Sequence, residues 1–368
     1  MSVFETMAAD QAEATTTEPE APPTEGTPSG GGAATPPPAG PKDRRRRRKV
    51  IAVIVVLALL AALASVAGWY LLNRKPLTEL PGLATAKLPH YERSIYGVSE
   101  PLGVAVSADG ERIYVTQSGT DPAVLVFDKD GKKLGRLSVP GQTGAMPQPV
   151  YLAIDPTNQD LYVSDRLAKV LYIFDAKGSY LRTFEPKGSF DGKWSPLALA
   201  FAPDGTLYAS DVLSSDPTKH RIVVFGPDGT YERSFGAPKL NYPNGIWADS
   251  QGNAWVADSS DGRLVVVDRT GKSLTEISRG MGDGDLGMPR GVGIDDSGRL
   301  FIVDTTDHMV RVYTVGPTAG DTPAYVGSIG GEGRLDGTFE YPNGLALDQR
   351  AHVYVTDREN NRVQVWGY

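Results

Sequence analysis

Six segments of this chain start on proline and run into the same apolar pattern: PLGVAVS at Pro101, PVYLAID at Pro149, PLALAFA at Pro196, PNGIWAD at Pro243, PRGVGID at Pro289 and PNGLALD at Pro342. They lie 48, 47, 47, 46 and 53 residues apart. A period of this length means that each unit is one supersecondary element, unable to bury its apolar faces alone and stacked on its neighbours. Within each unit a turn such as SADG, APDG or DSQG leads to a second strand (IYVTQ, LYVSD, LYASD, AWVAD, LFIVD or VYVTD). A third strand follows (AVLVFD, VLYIFD, RIVVFG, RLVVVD, MVRVYT or RVQVWG), and in most units a DG, KG or TG turn introduces a fourth. Alternating apolar residues between glycine-bearing turns mean hairpins. Four-stranded meanders repeated at this spacing are the blades of a β-propeller.

The count closes into a ring. The sixth unit ends after its third strand, at Val365-Trp366-Gly367-Tyr368, while YERSIYG (Tyr91 to Gly97) nearly copies YERSFG (Tyr231 to Gly236), a fourth strand. Residues 91–97 are therefore expected to complete the sixth blade and leave no open edge. The fold class is all-β: a six-bladed propeller over residues 91–368, closed by its own N-terminal strand.

The remainder is organised differently. Residues 1–43 are rich in Ala, Pro, Thr, Glu and Gly, a composition that cannot bury enough apolar surface to offset chain entropy, so a disordered tail is expected. Residues 44–49 are RRRRRK. Val50 to Leu72 then provide 23 uncharged residues, enough at about 1.5 Å per residue to cross a hydrocarbon core of about 30 Å. Trp69 and Tyr70 suit the interface at its far end. With cations massed on the near side, the positive-inside rule orients the tail to the cytoplasm and the propeller outside. The apolar run is too long and too far from Met1 for a cleaved leader, so a single-pass signal-anchor in the cell membrane is expected. Residues 73–90, with three prolines, form an extended linker.

Charge excludes one class of partner. The net −7 of the chain belongs wholly to residues 50–368, because residues 1–49 carry seven basic and seven acidic side chains. An acidic globular part argues against nucleic acid. The absence of cysteine removes disulfides, thiolate catalysis and Cys-held metals.

The units resemble NHL repeats. The resemblance rests on the P-x-G start, the V-x-D end of the second strand and the R-[IV]-x-V-[FW] third strand. It is fullest in Pro342-Asn343-Gly344 to Asp357 to Arg362-Val363-Gln364-Val365-Trp366. GSIGGEGRLDGTFEYPNGLALD (Gly327 to Asp348) looks like the family's inter-blade loop. The strand-end Asp stands at Asp165, Asp211, Asp258, Asp304 and Asp357, with Gln117 in the first unit; the Arg stands at Arg221, Arg263 and Arg362, with Ala123, Val170 and Met309 elsewhere. These groups are expected to be structural, the carboxylates accepting loop N–H groups or pairing with Arg. The likeness implies a six-bladed propeller and leaves function open, since propellers host many.

In such a ring the first strands converge on the axis, and the residues after proline surround one mouth: Leu102, Val150, Leu197, Asn244, Arg290 and Asn343. Glu100, Gln148, Tyr151, Trp194, Tyr242 and Tyr341 stand nearby. A mouth with aromatics and a few polar groups suits a ligand, so Asn244, Arg290, Asn343, Tyr151 and Trp194 are the candidate binding residues. No catalytic residue, cofactor or metal is assigned. The expected role is an extracytoplasmic binding or scaffold module for another envelope or extracellular protein, a peptide or a glycan.

Two enzymatic alternatives stand beside it. Peptide-amidating lyases resemble this fold and hold zinc through several His residues, but His90, His220, His308 and His352 recur at no common mouth position. Gluconolactonase-like metal-dependent hydrolases hold a divalent ion through oxygen donors. Here Glu100, Asn244 and Asn343 offer part of such a set, against which the Arg290 cation works.

Overall fold

The structure is a computed structural model. It describes residues 49–62, 64–65, 88–141, 146–190, 193–213 and 216–368. The chain divides into two units, Met1–Ala62 and Leu63–Tyr368. In the first, residues 49–62 are helical. From Val50 to Leu60 the valine, isoleucine and leucine side chains are all more than half exposed. Among the described residues no helix is long and apolar enough to cross a membrane. The expected tail (residues 1–43), the rest of the expected span beyond residue 65 and the linker up to residue 87 lie outside the described residues.

The second unit is the expected six-bladed propeller. Six separate four-stranded antiparallel sheets follow one another along the chain. Their inner strands are Pro101–Val106, Pro149–Ile154, Pro196–Phe201, Pro243–Ala248, Pro289–Ile294 and Pro342–Leu347, in blades 1 to 6. Closure is as the YERS duplication implies. The strand His90–Ile95 pairs with Arg362–Gly367, with Tyr91 opposite Trp366 and Ile95 opposite Val363. One blade is thereby built from both ends of the domain.

Each blade is apolar on both faces, so the core is divided among the seams. One buried cluster fills each contact between neighbouring blades. Tyr208, Ile222, Ile246 and Val256 fill the seam between blades 3 and 4, and Ile95, Val104, Leu125 and Val363 the seam where blade 6 meets blade 1. The other four seams repeat the arrangement. Burial of this kind contributes about 25 cal/mol per Å² of apolar surface removed from water.

A second device crosses the seams. Just after its proline, every inner strand slips register against its partner, which takes backbone groups out of the ladder. In blade 1 the Thr116 hydroxyl accepts the freed Gly103 N–H at 2.7 Å and donates to the Val150 carbonyl of blade 2 at 2.7 Å. Ser164 donates to Leu197 O and Thr356 to Leu102 O in the same way. Blades 4 and 5 carry Ala257 and Val303 at this point. There Ser259 and Thr305, two residues on, bond the Pro289 and Pro342 carbonyls of the next blade.

Candidate functional site

The six residues after proline do converge, because the inner strands touch through their backbones. A Cβ on Gly245 would lie 1.7 Å from Arg290 O, and one on Gly344 would lie 2.3 Å from Leu102 O. The ring they form is divided by chemistry. Over blades 1 to 3, Val150, Leu197 and Val212 make a buried apolar patch, against which Leu102, Tyr151 and Tyr242 pack. Over blades 4 to 6 the positions are Asn244, Arg290 and Asn343.

Tyr151 links the halves. It stands where blades 1, 4, 5 and 6 have glycine, and its hydroxyl donates to Asn343 Oδ1 at 2.5 Å, past blade 1. Burial pushes this phenol up to about 12, with the nearby Arg290 cation working against the rise. The hydroxyl therefore stays protonated as a donor. By donating to the Asn343 oxygen it fixes the orientation of that amide and leaves its nitrogen as the side chain's donor.

Two polar groups at this mouth lack partners. Asn244 is 4% exposed. It lines the small central cavity of about 50 Å³ together with Tyr151, and its side chain makes no hydrogen bond among the described residues. Arg290 is half-buried. Its Nε is sealed from solvent without a partner, its Nη2 meets Met288 Sδ at 3.9 Å, and no carboxylate pairs with it among the described residues. A buried N–H left unbonded costs about 1–3 kcal/mol. Such a group in a native site invites a ligand explanation.

The rim is held under backbone strain. Glu100, Tyr242 and Tyr341 each precede a ring proline, where the extended region is favoured, yet they adopt φ of 44°, 65° and 52°. Such conformations cost about 1–3 kcal/mol each and persist only when the surroundings impose them. Here the N–H of each is captured by the preceding blade: Glu100 N by Asn361 Oδ1 at 2.8 Å, Tyr242 N by His220 Nδ1 at 3.0 Å, and Tyr341 N by His308 Nδ1 at 3.1 Å. Both imidazoles thus serve as backbone acceptors, and the second nitrogen of His220 faces Leu213 O at 3.2 Å. Sequence reasoning missed these clamps; the two His residues before a third strand were their only trace.

Other expected site residues lie elsewhere. Trp194 is not brought into the group around Tyr151 and Asn343. It packs against Phe184, Phe190 and Phe225 in the seam between blades 2 and 3. Glu100 pairs with Arg358 at 3.1 Å. Tyr242 lies beneath the Arg166 guanidinium, 5.7 Å from its ring centre, and Tyr341 is exposed over His308. His352 bonds Asp348, and His90 opens the closing strand. Among the described residues no group of three His, Asp or Glu side chains is placed to hold a metal ion.

The five strand-end aspartates are wholly buried and structural. Asp165, Asp211, Asp258, Asp304 and Asp357 accept the N–H groups of Gln148, Ser195, Asn241, Gly287 and Glu340. Arg221, Arg263 and Arg362 pair with Asp211, Asp258 and Asp357 at 2.7–2.9 Å. Blade 5, which has Met309 at the Arg position, uses Arg311 instead, 3.6 Å from Asp304. In blade 1 Gln117 Oε1 takes the Ser99 N–H.

Two hollows lie away from this mouth. At the opposite end of the axis a funnel of about 370 Å³ is walled by Val104, Leu152, Leu199, Ile246, Val292 and Leu345, with Asp295, Asp296 and Asp348 at its rim. A larger hollow, about 770 Å³, lies at the periphery of blades 2 and 3 among Tyr180, Arg182, Lys187 and Asp228. It gathers no buried unpaired group, which is why the smaller axial site carries more chemistry.

Comparison with known proteins agrees with the architecture. Residues 339–366 match the NHL repeat model. No curated protein sequence matches the chain. Among solved structures, a streptogramin B lyase superposes with a TM-score of 0.54 at 14% identity, covering 77% of this chain and 99% of the lyase. U3-55K gives 0.54 at 14% identity, covering 75% and 98%. The WD40 repeats of RRP9 give 0.54 at 13% identity, covering 76% and 99%. At these identities the likeness is one of fold. Residues 339–366 thus match an NHL repeat, and the described residues from 88 on fold as a six-bladed β-propeller.

Proposed function

We propose that this chain is a single-pass, membrane-anchored protein whose extracytoplasmic propeller binds another envelope or extracellular protein, a peptide or a glycan at the proline-ring mouth. The observation that carries the reading is the pair of partnerless polar groups there, Asn244 and Arg290, beside an apolar patch that retains solvent contact at Leu102, Tyr151 and Tyr242. Apolar surface beside a few convergent polar groups is the composition of a binding site. The anchor rests on six cations followed by 23 uncharged residues.

Binding is favoured over metal-dependent hydrolysis because two of the three oxygen donors of a metal set are already engaged and the third, Asn244, neighbours the Arg290 cation. Glu100 pairs with Arg358, and Asn343 Oδ1 accepts from Tyr151.

The test places a photo-crosslinking benzoylphenylalanine at Tyr341, on the exposed rim, and separately at Leu134, on the outer edge of blade 1. Irradiating intact cells should give adducts at position 341 and none at 134. The same adducts at both positions, or none at 341, refute the reading. A tag at Ser2 should survive protease treatment of intact cells while the propeller is shaved.

A further inference from the structure

We infer that the proline-ring mouth is a receptor for a carboxylate carried on an apolar group. The inference deepens the binding reading above and rests on it. Arg290, Asn244 and Asn343 come from three consecutive blades, and the inner-strand backbones carrying the first two are in direct contact. Arg290 offers a half-buried guanidinium that pairs with no carboxylate among the described residues and whose Nη2 has only a thioether neighbour. Asn244 offers an amide without a partner, and Asn343 an amide whose oxygen Tyr151 already occupies. The guanidinium and the Asn343 nitrogen donate, while the Asn244 amide can donate or accept, so the charge of Arg290 sets the preference for an anionic acceptor. A planar guanidinium fork matches the two oxygens of a carboxylate.

One cation backed by two amides suits a monoanion better than a phosphate, which draws several cations. Glu100 and Glu359 nearby, both engaged with Arg358, and the acidic domain weigh further against a dianion. The rest of the ring decides what the carboxylate is attached to. Val150, Leu197 and Val212, with Leu102 and Tyr242 packed on them and still partly exposed, present apolar surface for a group beside the anion. A free apolar acid and the C-terminal residue of a polypeptide share this chemistry.

The test is calorimetric titration of the full-length protein in detergent micelles with N-acetyl-L-leucine, its amide, and a leucine-terminated hexapeptide with a free or amidated end. Small probes of this size bind in the millimolar range. The acid is expected to bind at least about tenfold more tightly than the amide, because only the carboxylate completes a charge-assisted pair with the guanidinium. Arg290→Gln should reduce the acid to the level of the amide, and Arg290→Lys should fall between. Thermal melting of each variant verifies its fold. A hexapeptide tighter than N-acetyl-leucine identifies a chain end as the ligand; an excluded hexapeptide with a bound acid identifies a free acid. Equal binding of acid and amide, no binding of either acid form, or acid binding unchanged in both Arg290 variants overturns the inference. Adducts at position 341 that persist under N-acetyl-leucine and in Arg290→Gln would overturn the carboxylate while leaving the binding module standing. Absence of adducts removes the module itself.

Discussion

Gly245→Ala tests how tightly the inner ring is drawn. The new Cβ would lie 1.7 Å from Arg290 O and 2.9 Å from its carbonyl carbon. Carbon–oxygen contacts settle near 3.3 Å, so the inner strands of blades 4 and 5 must separate by about 1.6 Å. The obstructing atom is backbone, so no side-chain rotation relieves it. Overpacking costs about 1–3 kcal/mol and sometimes more, and this overlap belongs at the upper end. At about 2–4 °C per kcal/mol for a domain of this order, the melting temperature should fall by about 6–12 °C. Gly344 and Gly103 make the same approach to Leu102 O and Val150 O at 2.3 and 2.9 Å. Their alanine variants should therefore lose progressively less. Gly135→Ala, whose Cβ meets nothing within 4 Å, is the control and should lose nothing. Scanning calorimetry of the four full-length variants gives the order. Gly245→Ala melting within about 2 °C of the parent, or an order that ignores the distances, refutes the picture of a ring in backbone contact.

Three further outcomes are expected. A chain beginning at Pro101 lacks the strand that pairs with Arg362–Gly367, which uncovers that strand's outer edge and takes Ile95 and Val98 out of a seam, so size-exclusion chromatography should find aggregates; a monomer of unchanged melting temperature would sink ring closure. Asp357→Ala removes a carboxylate that holds Arg362 at 2.7 Å, both groups being buried. Arg362 keeps Asp336 and the Leu335 and Thr338 carbonyls, but the Glu340, Asn360 and Gln364 donors lose this acceptor. The change should cost about 3 kcal/mol, against a much smaller loss for Asp121→Ala at the exposed Arg136 pair; equal losses refute the role. Turn aspartates are held below their ordinary 3.8, Asp109, Asp228 and Asp268 chiefly by the hydroxyls of Ser107, Thr230 and Thr270, and Asp175 by the Ser179 N–H. A depressed folded value gives stability that is present above the unfolded value and lost as pH falls through the folded one. Asp258 works in the opposite sense, raised mainly by burial, but it is outnumbered. The urea midpoint should hold steady down to about pH 5 and fall below about pH 4; a midpoint that rises on acidification contradicts this balance.

What the sequence reveals and what it hides divide along physical lines. Blade count, strand order and closure follow from local periodicity and from a duplicated segment, both properties of the chain itself. The Asp-to-loop bonds were legible too, because each Asp and its loop belong to one unit. Contacts across seams were not. Thr116 and Ser164 read as ordinary strand residues until the next blade brings Val150 O and Leu197 O to their hydroxyls. Trp194 precedes an inner-strand proline by two residues and looks like a rim aromatic. Its loop instead folds it beneath Phe184 and Phe225, where its apolar area is worth more than at a wet mouth. Arg311 shows the same limit. A guanidinium two positions along the same strand face can still approach Asp304, so a motif missing its Arg need not lack the pair.

A six-fold repeat builds six equivalent positions at every level of the axis, and equivalence by itself has no preference for a ligand. Selectivity has to come from where the repeat is broken. At the position after proline the break is sharp: three apolar residues in sequence, then Asn244, Arg290 and Asn343. At the next position the ring needs a residue no larger than glycine wherever a neighbouring carbonyl closes to 1.7–2.9 Å. Blades 2 and 3 escape that demand and carry Tyr151 and Ala198. The tyrosine uses its freedom to reach Asn343 and set the orientation of the amide on the polar side. Alanine in place of Tyr151 would keep every seam and the closure, yet leave the Asn343 amide free to turn and its oxygen without a donor. The side chain that departs furthest from the repeat is therefore the one that couples the apolar half of the mouth to the donor half.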